Sequence, residues 1–252
     1  MKAEAFIAAL QLPTGTRVDR RVPKTLLVEH GAPTATDRRS INEGIEEAHW
    51  VATLKPTTVG IPVHRDDVRE YLEIAILSVT LRATARTERL ATMLHRAVPY
   101  PMFLLATQGP VLTLSFAHKR WSQNQAGATV LDGNPVAAAL PTDARDSFLP
   151  AFCDALSLAR QPRGDLFLLY QGWIDTTMAL LAARITGTFA MPSSANHAAL
   201  RRKALDECAE LETEITRLRA AATKERQIPR QVAFNLELKR AEAARDAAQK
   251  RI

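Results

Sequence analysis

Residues 71–119 read YLEIAILSVTLRATARTERLATMLHRAVPYPMFLLATQGPVLTLSFAHK, and this stretch decides the fold. Tyr71 to Arg82 is rich in β-branched and aliphatic residues, with Ile74 and Ile76 close together. Apolarity this continuous predicts a central strand covered on both faces. Thr84 to Val98 then places Leu90, Met93, Leu94 and Ala97 on one helical face, and Pro99-Tyr100-Pro101 stops that helix. Met102 to Ala106 and Val111 to Lys119 are two apolar runs separated by Thr107-Gln108-Gly109-Pro110, a hairpin turn. In the second run Leu112, Leu114 and Phe116 alternate with Thr113, Ser115 and Ala117, so one face is buried and the other small or polar.

Toward the N-terminus, Val59 to Val63 reads as a short extended run. Ser40 and Glu43 have capping-box spacing, and Ile41, Ile45, Ala48 and Ala52 follow at helical intervals, which predicts a helix ending near Pro56. Residues 13–36, rich in Thr, Arg and Pro, form an irregular arm with a small helix near Leu26 to Val28. Met1 to Leu12 reads as a short helix with no cleavage pattern behind it, not as a signal peptide. On the other side, a further strand falls between Thr129 and Leu140. From Asp143 onward only helices are expected: one through Phe148 to Leu158, then one from Asp165 to Thr186. In the latter Leu166, Leu169, Tyr170, Trp173, Thr177, Leu180 and Leu181 share a face. The layout is α+β, a mixed or largely antiparallel sheet flanked by helices.

Gly187 to Ser194 is the candidate linker. Beyond it, Ala204, Cys208, Leu211, Ile215, Leu218 and Ala222 alternate spacings of four and three, as a coiled-coil seam does. Phe234, Leu238, Ala241, Arg245, Ala248 and Ile252 repeat the alternation after a break at Gln227-Ile228-Pro229. Two such helices fold back as an antiparallel hairpin. The domain reading is thus 1–192 for the α+β body and 193–252 for the hairpin. The second seam is mostly Ala with an Arg inside it, so the hairpin leans on the body or on a partner. Leu211, Ile215, Leu218, Phe234 and Leu238 are the candidate partner-binding residues.

The 252 residues carry 33 basic and 27 acidic side chains, a net charge of +6, and 46% are hydrophobic. This balance permits nucleic-acid binding without demanding it. Two cysteines, Cys153 and Cys208, do not make a disulfide framework, and a reducing, cytoplasmic setting fits them. The most apolar window, Leu166 to Ala183, is interrupted by Gln171 and Asp175, so no membrane span is expected.

The sequence lacks the motifs of several common chemistries. The chain has no Gly-Lys pair and no Gly-x-Gly, which removes the usual phosphate cradles of ATPases and dinucleotide enzymes. Its six histidines are too far apart for a local metal-ligand pair, and a Gly-x-Ser-x-Gly elbow is absent. The acid-x-Lys triplet of a metal-dependent nuclease occurs as Glu237-Leu238-Lys239, on the hairpin. No catalytic residue, metal site or cofactor is therefore assigned. Asp66-Asp67 and Glu46-Glu47 are read as solvated charge, in a turn and on a helix flank.

His118-Lys119-Arg120-Trp121 is the one local cluster suited to a phosphate and a base face, and it ends the strongest expected strand. The plainer reading is that Trp121 plugs a sheet edge while Lys119 and Arg120 are wet. Arg17, Arg20, Arg21 and Lys24 in the arm supply further basic groups. Candidate nucleic-acid contacts are His118, Lys119, Arg120, Trp121, Arg20, Arg21 and Lys24.

Several segments resemble an uncharacterised bacterial family, domain-of-unknown-function family 4391. They are Arg21-Val22-Pro23-Lys24, the run Trp50 to Pro62, Val98-Pro99-Tyr100-Pro101 with its hairpin, Lys119-Arg120, Lys224-Glu225-Arg226-Gln227 and Asn235-Leu236-Glu237-Leu238-Lys239. The resemblance spans most of the chain and carries no catalytic assignment. It implies a genomic setting beside helicase and DNA methyltransferase genes in restriction or phage-defence clusters. The expectation is a non-enzymatic accessory or adaptor subunit of such a complex, docking a helicase or methyltransferase through the hairpin and touching DNA through the basic surface. A metal-dependent nuclease with a diverged motif is the alternative, and a homo-oligomer assembled through the coiled coil is a third expectation.

Overall fold

The computed structural model describes residues 3–125, 127–141 and 146–252. The chain divides into two compact units, Met1–Thr177 and Met178–Ile252. The expected helix start at Met1 and the expected onset of the helical half at Asp143 lie outside the described residues.

In the first unit the order is α1 (Ala3–Ala9), a 3-10 turn at Thr14–Thr16, β1 (Arg17–Arg21), α2 (Lys24–Gly31), α3 (Ala35–Gly44), β2 (Ile45–Leu54) and α4 (Pro56–Val59). It continues through β3 (His64–Arg65), β4 (Glu70–Tyr71), β5 (Ile74–Leu81), α5 (Thr87–Ala97), β6 (Met102–Gln108) and β7 (Val111–Phe116). Then come β8 (Lys119–Trp121), β9 (Thr129–Leu131), β10 (Val136–Pro141), α6 (Leu149–Leu156) and the start of α7 (Leu166–Thr186). The second unit holds the end of α7, then α8 (Ala195–Lys224) and α9 (Ile228–Gln249).

A six-stranded sheet of order β1-β2-β5-β6-β7-β10 organises the first unit. It is mixed: β5 and β6 pair in parallel, joined through α5, and every other neighbour in the sheet is antiparallel. A parallel pair cannot be closed by a tight turn, so the crossover helix is what makes the pairing feasible. Alternate residues of β5 and β6 serve opposite faces. Ala75, Leu77, Val79, Met102, Leu104 and Ala106 join the core built with α2, α3 and α5. Ile76, Phe103 and Leu105 are buried as well, and on that side Phe103 stacks with Phe116 at 4.4 Å and with Trp173 of α7 at 5.4 Å. The expectation of a central strand covered on both faces therefore holds. So do the helix after it and the hairpin at Gly109-Pro110, where Gln108 pairs with Val111 and Gly109 takes a φ of +53°.

Two expectations are overturned. The helix read from Ser40 toward Pro56 ends at Gly44, and Ile45 to Leu54 is a strand, so Glu46 and Glu47 lie on β2 rather than on a helix flank. The register of β2 against β5 shifts between Ile45 and Glu47 and again between Trp50 and Ala52. Such bulges break the two-residue period. Ile45, Ala48 and Ala52, all buried, then fall at intervals that mimic a helical face. The true cap of α3 is Thr34, whose hydroxyl accepts from the Asp37 amide at 3.1 Å. The extended run expected at Val59 to Val63 begins instead as the end of α4, terminated by Gly60 in the left-handed region at φ +65°.

The arm is more ordered than an irregular segment. Arg17 to Arg21 add an edge strand to β2, with every side chain exposed. A charged edge of this kind blocks pairing with another sheet. Helix α7 has the length and apolarity of a membrane span, yet 72% of its apolar window is buried within the protein. Its start belongs to the core of the first unit: Tyr170 Oη donates to the Met102 carbonyl at 2.8 Å, and Trp173 Nε1 to the Leu156 carbonyl at 2.9 Å.

Candidate functional site: a closed polar cluster and a hairpin face

The chain leaves β7 at Phe116 and enters β8 at Lys119, which pairs with β9 across Lys119 and Leu131. Lys119 turns inward. Its Nζ donates to the His95 carbonyl at 2.6 Å and to the Val98 carbonyl, both at the C-terminal end of α5. Those carbonyls lack partners within the helix, and an ammonium there also opposes the negative end of the helix dipole. Burial lowers the Lys119 pKa to about 8.

His118 is buried between β4 and α7. Asp175 Oδ1 accepts from Gln171 Nε2 at 2.8 Å, which fixes the orientation of that amide. Gln171 Oε1, 2.8 Å from His118 Nε2, therefore accepts, so the imidazole proton sits on Nε2. Nδ1 must then accept from the Tyr71 hydroxyl at 2.6 Å, and that hydroxyl accepts the Lys119 amide at 3.3 Å. Burial holds the Tyr71 phenol above its ordinary pKa, which keeps it a donor.

Nearer the surface His64 lies between two carboxylates, with Nδ1 3.0 Å from Asp165 and Nε2 3.1 Å from Asp66. Burial pulls its pKa down, but the hydrogen bonds to Asp165 and Asp66 outweigh this and leave it raised. Each carboxylate has a second task. Asp165 Oδ1 accepts the Leu168 amide at the start of α7, and Asp66 Oδ1 accepts the Val68 and Arg69 amides in the β3–β4 turn. The Phe167 ring joins the two histidines: its centroid is 4.9 Å from that of His64 and 5.1 Å from that of His118, with the Arg69 guanidinium 5.0 Å above it. Arg69 pairs with Asp132 at 3.0 Å, and Arg120 stands 3.8 Å from the same carboxylate.

Both nitrogens of both imidazoles are engaged. A general base needs a lone pair aimed at a substrate proton; here the groups face one another, and the arrangement clamps β3–β4, β8–β9 and α7 together. Among the described residues no cluster of three or more His, Cys, Asp or Glu is arranged to hold a metal ion.

The sequence-selected basic residues form two separate groups. His118, Lys119, Arg120 and Trp121 follow β7, whereas Arg20 and Arg21 lie on β1 at the far edge of the sheet and Lys24 opens α2. Within the first group His118 and Lys119 are buried, and Arg120 and Trp121 are partly exposed. In the second, Arg20 is exposed, Arg21 stands 3.8 Å from Glu47, and Lys24 donates to the Asn42 carbonyl at 3.2 Å. Burial, with Arg82 and Arg21 nearby, lowers the Lys24 pKa.

In the second unit α8 and α9 pack antiparallel, as the cross-links Arg251–Glu207, Arg245–Glu212 and Arg219–Glu242 require. Ile215 and Leu218 are buried in the seam, while Leu211, Phe234 and Leu238 are half-buried. Seam residues hold the hairpin together and are not its outer surface. The sequence reading missed the other face, where Ile228, Val232 and Leu236 are 73%, 51% and 54% exposed on α9. Their spacing of four was legible, but the stronger seam two positions away drew the assignment.

The sheet, the clamp and the hairpin define a mixed-sheet α+β protein with an appended antiparallel helical pair. The chain belongs to the family described as Domain of unknown function (DUF4391), which it matches over residues 10–244. No curated protein and no solved structure matches it.

Proposed function

We propose that this protein is a non-enzymatic accessory subunit of a bacterial restriction or phage-defence complex, and that it docks a helicase or DNA methyltransferase through the outer face of its hairpin. The observation that carries this reading is the row Ile228, Val232 and Leu236, exposed on a helix whose opposite side is already occupied by the seam. Exposed large apolar side chains spaced by four along one helix supply the anchors that a helix-in-groove interface uses. Arg230, Lys239 and Arg240 lie along the same helix, so the matching groove has an acidic rim. Arg20 and Arg21, on the exposed edge strand, are the positions from which the subunit touches DNA. Cys153 and Cys208 are both free thiols, which suits work in the cytoplasm.

The test is co-purification of the full chain with the products of its neighbouring genes, beside a variant carrying Ile228→Glu, Val232→Glu and Leu236→Glu. Capture of a helicase or methyltransferase by the parent and not by the variant supports the adaptor reading. Capture by neither, together with divalent-metal-dependent cleavage of DNA by the purified chain, replaces it with the nuclease.

A further inference from the structure

A cleft of about 180 Å³ lies between α3 and the segment that leads into α5. Arg39, Arg86 and Arg89 line it, with the Thr36 and Thr84 hydroxyls, and Glu43 is its acidic group. Gly44 ends α3 at the lining of the cleft, and a Cβ there would stand 2.8 Å from Leu90 Cδ1, so the leucine side chain would have to shift.

The three guanidinium groups are not equally engaged. Arg89 is braced by Asp37 at 2.8 Å, and Thr34 in turn holds that carboxylate. Arg39 has only a long, exposed contact with Glu43 at 3.9 Å. Among the described residues Arg86 makes no side-chain hydrogen bond or ion pair. With Asp37 counted beside Glu43, three arginines leave one positive charge in excess, carried by Arg86, and a guanidinium fork of donors matches the oxygens of a phosphate. The volume is below the range of roughly 300–1,000 Å³ typical of whole drug-sized ligands, so it fits an anionic group rather than an entire cofactor.

We infer that this cleft binds a phosphate monoester, with Arg86 as the principal contact, Arg39 beside it and Arg89 held in place by Asp37. The phosphate belongs either to a free nucleotide or to the 5′ end of a nucleic-acid strand, since both present the same dianion. No residue of this site belongs to the hairpin, and its test does not depend on partner capture.

Isothermal titration of the full chain with inorganic phosphate, at ionic strength matched with chloride, reads the site directly. The expected result is saturable binding that weakens roughly tenfold or more in Arg86→Gln, the loss of one charge-assisted pair. Arg217→Gln, on α8, should bind as the parent does. Circular dichroism checks that Arg86→Gln is folded, as expected for a side chain with no internal partner. A nucleoside 5′-monophosphate and an oligonucleotide with and without its 5′-phosphate then separate the two sources. Absence of saturable phosphate binding, or binding unchanged in Arg86→Gln, overturns the assignment.

Discussion

Lys119 Nζ donates to the carbonyl oxygen of His95 at 2.6 Å, and through this bond the strand beyond the sheet holds the end of the crossover helix. The Val98 carbonyl takes a second bond from the same ammonium. Lys119→Met keeps the volume of the side chain but leaves both carbonyls without their donor. Leaving a buried acceptor unpaired costs about 1–3 kcal/mol. Urea denaturation should therefore place Lys119→Met about 2–4 kcal/mol below the parent, while Arg120→Met, at a partly exposed site, should change stability by less than about 1 kcal/mol.

The same lysine bears on the acid stability of His95. That imidazole is fully buried, its Nε2 lies 2.9 Å from Ser115 Oγ, and its Nδ1 has no hydrogen-bond partner among the described residues. Burial, with the Lys119 charge adding to it, lowers the pKa from 6.5 to about 3. Between those values the unfolded chain binds a proton that the folded chain refuses. Stability from this group is therefore complete above pH 6.5 and is lost as the pH falls toward 3. By linkage the loss is on the order of 3–5 kcal/mol. Chemical denaturation at pH 7 and at pH 4 should show a smaller drop in His95→Asn, which does not titrate; an equal drop in both proteins would remove His95 from the account.

How much of this could be read beforehand differs from element to element. The segment from Tyr71 to Lys119 was legible because each of its boundaries has a local cause, Pro99 and Pro101 ending the helix and Gly109 turning the hairpin. The strand β2 was not, because two register shifts moved its buried residues onto helical intervals, and a bulge shows only in the pairing with the partner strand. For the site, the sequence drew attention to His118 through Trp121 but not to what they meet. Tyr71, Asp165, Phe167 and Gln171 come from distant segments, and nothing local in the sequence announces that they converge. A lysine at a strand end reads as wet by default; only the position of the α5 terminus turns Lys119 inward.

Gly31 tests the packing of α2 on α5. A Cβ there would lie 2.7 Å from Ala97 Cβ and 2.9 Å from the Met93 carbonyl oxygen, and the second neighbour is backbone that cannot rotate away. Gly31→Ala should gain a few tenths of a kcal/mol in helix propensity and lose about 1–3 kcal/mol to overpacking, so the net change is destabilising. A thermal melt of the variant reads the sign. A melting temperature equal to or above that of the parent would mean that the two helices separate at little cost.

The hairpin separates residues that hold a structure together from residues that face outward, and the two classes predict opposite results. Ile215 is fully buried in the seam, and Ala248 on α9 has no exposed surface. Ile215→Ala removes three buried carbons and should cost about 2–4 kcal/mol, while Ala248→Leu places a larger side chain in a filled position and should cost about 1–3 kcal/mol. Leu236→Ala, on the exposed face, should lie within about 0.5 kcal/mol of the parent. Hydrogen exchange over residues 195–249 of the full chain distinguishes the cases. Amides of α8 and α9 should exchange faster in the first two variants and at the parent rate in Leu236→Ala. If Leu236→Ala also accelerates exchange, that side chain supports the fold, and the outer face of α9 is not free to receive a partner.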